Sequence, residues 1–167
     1  MLETERLALS KLSALDAGFI VELLNEPAFL RYIGDRGVRD AADALRYLEA
    51  GPAASYARFG FGLYRVGLKP GGDPIGICGL LKRDALPDPD IGFAILQRYR
   101  SRGFAHEAAA AVLAHGREAL GLRRVLAITS RDNDVSIGLL VKLGFRFERL
   151  ARLAPDTPEV KVFAVEL

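Results

Sequence analysis

The segment IGFAILQRYRSRGFAHEAAAAVLAHG, residues 91–116, decides how this chain folds. Ile91 to Leu96 is a short apolar run that is compatible with a buried β-strand. From Phe104 onward, alanine and larger apolar residues recur at helical spacing, and alanine is itself a strong helix former. Between the two runs lie three arginines and one glycine, Gly103, so the segment predicts a strand, a basic loop and a helix.

The basic loop has two interpretations. A helix N-terminus has unpaired N–H groups and a partial positive charge, and Gly103 lets the backbone approach a bulky ligand closely. These features favour a pyrophosphate site. The alternative is an ordinary strand-to-helix turn that happens to be basic. This alternative stays open because the chain has neither of the phosphate-binding motifs G-x-x-x-x-G-K-[ST] and G-x-G-x-x-G.

The composition indicates a single domain that spans residues 1–167. Hydrophobic residues make up 50% of the chain and charged residues 26%, which is ordinary for a globular domain. The net charge of +2 gives no general attraction to nucleic acid, which is therefore not an expected partner. Cys78 is the only cysteine and lies in an apolar run, so we expect a small buried hydrophobe there.

The chain shows no targeting or membrane signal. Its first residues, Met-Leu-Glu-Thr-Glu, lack the basic and apolar parts of a signal peptide. No apolar run approaches the length of a membrane-spanning helix. We therefore expect a cytoplasmic protein with no membrane partner.

Hydrophobic periodicity and turn residues predict the element order β-α-α-β-β-β-α-β-α-β-β. The predicted strands are 6–12, 61–68, 74–82, 91–96, 124–129, 145–153 and 160–167. Helical segments are predicted after Ser13 or Asp16, from Pro27, from Ala41 to about Arg58, from Phe104 to near Gly121, and over 133–143. This order indicates an α+β or mixed α/β domain with helices on both faces of one sheet.

Four short sequence elements occur along the chain in an order that matches a known family. They are Thr4-Glu5-Arg6-Leu7-x-Leu9, Arg100-Ser101-Arg102-Gly103-Phe104-Ala105, Asn133-x-x-Ser136 and Lys142-Leu143-Gly144-Phe145. The ordered set resembles the GNAT-type N-acetyltransferases, whose signature is R/Q-x-x-G-x-G/A, and in particular their RimJ/RimL-like branch. The resemblance implies one α+β (mixed α/β) domain with a central, mostly antiparallel, twisted sheet of about six to seven strands.

The resemblance also implies acetyl-CoA as cosubstrate. It assigns the pyrophosphate to backbone N–H groups of the loop, and the pantetheine arm and thioester to the end of a preceding strand that splays from its neighbour. The residues concerned are Ile95, Leu96, Arg100, Ser101, Arg102, Gly103, Phe104 and Ala105. Ser101 stands where many family members have a second glycine, and backbone donation there is expected to survive as long as its φ stays negative.

The resemblance suggests three further site residues. Asn133 is a natural helix N-cap, but the family uses this asparagine near the pantetheine arm. Ser136 is the candidate proton donor to the CoA thiolate, because Leu140 stands where many other members have a tyrosine. Asp90 is the candidate base, directly or through water. The alternative interpretation is that Asp90 is an ordinary loop aspartate.

Two further groups of residues have side chains that could take part in a site. Lys142 and Arg146 are candidates for neutralising CoA phosphates, although most such residues are simply solvated. His106-Glu107 begins like the metal motif H-E-x-x-H, but Ala110 stands where the second histidine belongs, so no metal is expected.

The predicted function is therefore acetyl-CoA-dependent N-acetyl transfer to a primary amine. The leading acceptor is the α-amine of a protein or peptide N-terminus, in a groove around Phe29, Tyr32 and Tyr47. A small-molecule amine such as an antibiotic or polyamine remains an alternative, as does a non-catalytic acyl-CoA-binding module. Association as a homodimer is left open.

Overall fold

The computed structural model describes residues 1–167, in which eight strands form one sheet. The strands are β1 (Leu2–Glu3), β2 (Leu7–Lys11), β3 (Leu63–Leu68), β4 (Pro74–Leu81), β5 (Asp90–Ile95), β6 (Arg124–Ser130), β7 (Arg146–Ala151) and β8 (Val160–Glu166). Their order across the sheet is β1-β2-β3-β4-β5-β6-β8-β7, and every neighbouring pair except β5–β6 is antiparallel. The mostly antiparallel sheet is confirmed. The expected count of six to seven strands was too low because the two-residue β1 is too short to show any alternation.

The helices lie on both faces of the sheet. They are α1 (Ala17–Leu24), α2 (Pro27–Tyr32), α3 (Ala41–Leu48), α4 (Ala54–Phe59), α5 (Phe104–Glu118) and α6 (Asp134–Lys142). The longest, α5, has 15 residues, and no helix combines the length and the apolar character that crossing a bilayer requires.

The helix predicted from Ala41 to about Arg58 was wrong as a single element. It is divided into α3 and α4 by a π-helical turn over Glu49–Ala53. Pro52 lies inside that turn and has no N–H to donate, so the regular α-helical hydrogen bonding is interrupted there.

Three apolar clusters surround the sheet. The first, under α5 and α6, includes Ile91, Val112 and Leu140. The second, under α1 to α3, includes Ala94 and Leu96, and a third, smaller cluster packs Leu86, Leu126 and Val162 below the loop 82–89. Cys78 is fully buried in the first cluster, as predicted, and burial raises the pKa of its thiol. The alternating residues of β5 therefore face different helices.

Candidate active site

The sheet opens between β5 and β6, its one parallel pair of neighbours. The two strands pair only where Asp90 lies opposite Leu126, and the Leu126 N–H donates to the Pro89 carbonyl at 2.9 Å. On its other side β5 stays paired with β4 as far as Ile95. The strands thus diverge towards their carboxyl ends, as the resemblance implied. We call the wedge between them the gap, and Asp90 lies at its closed end.

The edge of β5 that faces the gap forms no strand pairing beyond Asp90, and of its acceptors the Ile95 carbonyl binds the Arg100 side chain. The Leu96 N–H donates to the Ile75 carbonyl at 2.8 Å, so the backbone of Leu96 is turned towards β4. Because successive residues of a strand direct these groups to opposite sides, Phe93 and Ile95 direct theirs into the gap. An extended ligand with amide groups can pair with this edge as an added strand would. Of the two predicted residues, Ile95 directs its backbone groups into the gap although it is 6% exposed, whereas Leu96 is fully buried and directs its N–H to β4.

Two helices begin at the open end of the gap, α5 after β5 and α6 after β6. Each helix N-terminus has unpaired N–H groups and a partial positive charge. Gly103 is the N-cap of α5, and it makes no side-chain capping bond. The open end of the gap is therefore suited to a negatively charged ligand.

The loop before α5 presents a row of unused donors. The first backbone bond of the helix runs from the Glu107 N–H to the Gly103 carbonyl, at 3.0 Å. The six preceding N–H groups have no acceptor in the protein, and they belong to Ser101, Arg102, Gly103, Phe104, Ala105 and His106. Ser101 and Gly103 both have positive φ, a conformation in which successive N–H groups can form an anion-binding concavity. These donors lie where the sequence predicted the pyrophosphate.

The expectation for Ser101 was wrong in one respect. Its φ is +61°, and it is the only non-glycine residue of the chain with positive φ. A left-handed backbone costs an L-residue other than glycine about 1–2 kcal/mol, and such strain concentrates at functional sites. Ser101 thus has a backbone conformation that glycine adopts without strain, and its N–H has no acceptor in the protein.

The three arginines of the loop have different partners. Arg98 pairs with Glu22 on α1. Arg100 folds back on the strand, where its Nε donates to the Ile95 carbonyl at 2.9 Å. Arg102 has no acidic partner and only lies over the ring of Tyr99, with 5.9 Å between Cζ and the ring centroid. Arg102 is therefore the loop arginine whose side chain is free to bind a phosphate.

A residue near the start of the chain supports this loop, and the sequence reasoning did not assign it a role. The Arg6 Nη1 donates to the Arg102 carbonyl at 3.0 Å, and its guanidinium lies over the ring of Phe104 at 4.5 Å. Its Nε is bound to Glu107 Oε2 at 2.7 Å, and Thr4 donates to the same carboxylate at 2.5 Å. Burial raises the pKa of Glu107, but the bonds from Thr4 and Arg6 outweigh it, so the pKa lies below its ordinary value. Arg6 and Glu107 together support the loop through these contacts.

This contact leads to a prediction that separates the loop from the rest of the site. Arg6→Ala should weaken acetyl-CoA binding about tenfold or more, because the loop donors lose their fixed orientation. The same variant should leave the KM for S-acetylpantetheine, which has no pyrophosphate, within about twofold of the wild-type value. Steady-state thiol release with both thioesters measures the two effects. Equal losses with both would mean that Arg6 supports the fold in general rather than this loop.

On the other side of the gap, Asn133 and Ser136 lie at the start of α6. The Asn133 side chain caps the helix, accepting the Ser136 N–H at 3.3 Å, so its capping role is realised. The Asn133 amide group donates to no protein acceptor, and the half-buried Ser136 hydroxyl has no protein partner either. Leu140, in place of the tyrosine, is 1% exposed and belongs to the core.

Asp90 is not free in this structure. Its side chain is 1% exposed, and the Arg83 Nε donates to its two oxygens at 3.0 and 3.2 Å. Burial raises the pKa of Asp90, and Arg83 only partly offsets that effect. An amine cannot touch this carboxylate unless Arg83 moves, so a direct role as base has no support from the geometry. The sequence held no sign of this pair.

The three residues expected around an acceptor groove differ in exposure, and the groove itself stays a prediction. Phe29 is 4% exposed and packs in the cluster under α1 to α3, so it does not line a groove. Tyr32 and Tyr47 are half-buried. Beside Tyr32, the Arg31 Nη2 lies 3.2 Å from Asp132 Oδ2, which joins α2 to the loop before α6.

Lys142 and Arg146 lie in separate places. Lys142 and His106 line a cavity of about 440 Å³ between α5 and the end of β8, next to the loop. Arg146 lies on the outermost strand β7, near Arg124 and Glu148, in a different cavity. Lys142 is thus the better placed of the two for a nucleotide phosphate. No three His, Cys, Asp or Glu side chains come together as a metal site, and the absence of a metal from the reaction stays a prediction.

Known proteins resemble this chain over nearly its whole length. A model of the acetyltransferase (GNAT) domain matches residues 6–146. The N-acetyltransferase YoaA of Bacillus subtilis, itself uncharacterized, is 30% identical over 154 residues, which are 91% of this chain and 86% of that protein. An acetyltransferase structure from Agrobacterium tumefaciens has a TM-score of 0.83 at 26% identity, covering 98% of this chain and 92% of that one. RimL, a ribosomal α-N-protein acetyltransferase in complex with coenzyme A, shares the fold with a TM-score of 0.83 at 14% identity, covering 98% and 96%.

Proposed function

Because the chain belongs to the GNAT acetyltransferase family, we propose that it transfers the acetyl group of acetyl-CoA to the α-amine of a protein or peptide N-terminus. The observation that carries the cosubstrate is the row of six free N–H groups beside the open edge of β5. The acceptor class is supported by the shared fold of RimL, whose acceptor is a protein α-amine.

The cosubstrate would bind along the gap. Its pyrophosphate accepts from the N–H groups at the start of α5, with Arg102 adding charge. Its pantetheine amides pair with the backbone groups of Phe93 and Ile95 that face the gap, and the Asn133 amide donates from the opposite side. Since Arg100 already donates to the Ile95 carbonyl, its side chain must share that oxygen or turn away when the arm binds.

The acetyl transfer itself needs few protein groups. The neutral amine attacks the thioester carbonyl carbon, a C–N bond forms, and the C–S bond breaks with its electron pair going to sulfur. Ser136 gives its hydroxyl proton to that sulfur and regains the proton that the acetylated nitrogen loses, through water. The free hydroxyl of Ser136 supports this role, because a hydroxyl already bound to the protein would have to break that bond first.

For Asp90 we propose an indirect part. A buried carboxylate that binds Arg83 through both oxygens can orient that guanidinium or accept a proton through an intervening water. Direct proton abstraction would require the pair to open. The solvent is then the first acceptor of the proton that an incoming ammonium group must lose.

The proposal is tested by measuring thiol release from acetyl-CoA with a panel of amines. N-terminal peptides should give turnover well above the rate with small amines, and mass spectrometry should locate the acetyl group on the α-nitrogen. Faster turnover with an antibiotic or polyamine would replace the acceptor class. Tight acetyl-CoA binding with no turnover on any amine would instead indicate an acyl-CoA-binding module.

A further inference from the structure

The Arg83–Asp90 pair leaves most of the Arg83 guanidinium unused. Only Nε is bound to the carboxylate, and neither Nη1 nor Nη2 has an acceptor in the protein. The Arg83 side chain is 32% exposed, whereas its partner is fully buried. The buried carboxylate therefore fixes the guanidinium plane from one side and leaves its outer edge open to solvent.

The free edge of the Arg83 guanidinium lies beside Asp90, at the end of the gap where β5 and β6 are paired. Asp90 is the first residue of β5 and the only one that pairs with β6, and its side chain is on the same face as Ala94 and Leu96, which pack under α1 to α3. The pyrophosphate donors are at the opposite end of β5. A cosubstrate that enters from the loop thus directs its acyl end towards Arg83, and the acceptor amine must come to the same place.

The surroundings of Arg83 are positively charged. Arg36, in the loop after α2, and Arg83 both act on the hydroxyl of Tyr47, where burial raises the pKa and the two arginines oppose that rise. Lys82 donates to the carbonyls of Arg83 and Leu86 at 3.1 and 2.8 Å. Arg83 and Lys82 thus act on the buried Asp90 carboxylate, while Arg36 and Arg83 act on Tyr47.

The nearby acidic residues do not neutralise this group. Asp88 lies 3.6 Å from Arg124, and Asp35 is paired with Arg39. Asp84 is exposed and forms no ion pair with Arg36, Lys82 or Arg83. Among the ion pairs of Arg36, Lys82 and Arg83, Asp90 is the one carboxylate partner, so positive charge is in excess beside Tyr47.

We propose that Arg83 binds a carboxylate of the acceptor, so that the preferred acceptor carries an acidic group close to its primary amine. This inference rests on the proposed acetyl transfer and adds the chemistry of the acceptor to it. A fixed guanidinium whose Nη1 and Nη2 groups are both free matches the two oxygens of a carboxylate. Asp90 is then the positioning residue that holds Arg83. This role explains why the Asp90 carboxylate is buried where it cannot itself reach the amine.

The test uses acceptors in matched pairs. One pair is Ala-Asp-Ala-Ala-amide and Ala-Asn-Ala-Ala-amide, and the other is free alanine and alaninamide. The acidic member of at least one pair should have a kcat/KM about tenfold or more above its neutral partner. The pair that shows the preference tells whether the carboxylate comes from a peptide side chain or from a free amino acid. Values within twofold in both pairs would overturn the inference.

Variants then assign the preference to Arg83. Arg83→Gln should remove it while acetyl-CoA affinity stays unchanged. Because a lone buried carboxylate is destabilising, the double variant Arg83→Gln/Asp90→Asn, which removes both charges, provides a second route to the same readout. Arg123→Gln, at an exposed arginine with no ion pair, is the matched control and should keep the preference. A preference that survives in both Arg83 variants would overturn the assignment.

A binding measurement keeps this test separate from the proposed function. The N-acetylated forms of the two peptides can be titrated by calorimetry into the protein saturated with CoA. The acidic product should bind about tenfold more tightly than the neutral one even if no amine is turned over. Equal binding, or no binding of either peptide, would reject the carboxylate site, whereas absence of turnover alone would reject only the acetyl transfer.

Discussion

Gly103→Glu is expected to abolish acetyl-CoA binding, with an affinity at least about 100-fold below the wild-type value. Gly103 has a φ of +82°, and a Cβ built there would lie 3.3 Å from the Arg6 Nη2. The new carboxylate would lie beside the helix N-terminus and take the donors that the pyrophosphate needs. Its negative charge would also repel the phosphates. Calorimetric titration with acetyl-CoA measures the loss.

The matched control for this variant is Gly121→Glu, just beyond the other end of α5. Gly121 has a φ of +66° and no atom within 4 Å of a built Cβ, so it shares the backbone strain and the added charge. Left-handed strain of about 1–2 kcal/mol lowers the stability of both variants. Only Gly103→Glu should lose acetyl-CoA, and undiminished affinity in that variant would remove the pyrophosphate from the loop.

Ser136→Ala should lower kcat about 100-fold and leave acetyl-CoA affinity nearly unchanged. The hydroxyl makes no bond within the protein, so its removal costs the fold little, and the Ser136 N–H that Asn133 caps is still present. The loss reflects the missing proton for the departing thiolate. It is measured as kcat over a range of pH with saturating acceptor, alongside calorimetric titration of acetyl-CoA.

A control on the same helix keeps this prediction specific. Val135 is 86% exposed and adjacent to Ser136, so Val135→Ala should have wild-type kcat. If Ser136→Ala also turned over normally at every pH, water would be the proton donor. If it weakened acetyl-CoA instead of slowing turnover, the hydroxyl would be a binding group and not an acid.

Local rules predicted much of the cosubstrate site. The strand 91–96, the loop and the start of α5 at Phe104 follow from an apolar run, a glycine and helical periodicity, which act over a few residues. The same local rules placed α6 after Asn133 and identified its capping role. They also missed β1 and the break at Pro52, because a two-residue strand has no period and a proline inside a helical pattern allows several outcomes.

The supporting contacts could not be predicted in this way. Arg6 and Glu107 are 101 positions apart, and nothing in either segment names the other as its partner. Arg83 and Asp90 are only seven positions apart, yet their pairing depends on how the loop between them folds over the cluster of Leu86, Leu126 and Val162. A motif records which residue types are present, whereas an ion pair depends on distances between side chains.

The amino-acid sequence by itself determined the family, the strand–loop–helix segment and the place where a pyrophosphate is expected, because those features depend on residues that are neighbours in the chain. Only the tertiary structure decided which loop arginine is free, that Ser101 adopts a glycine-like backbone, and that Asp90 is buried against Arg83. The physical reason is that burial and pairing set the charge and reach of a side chain, and both depend on strands and helices that meet only in the folded protein.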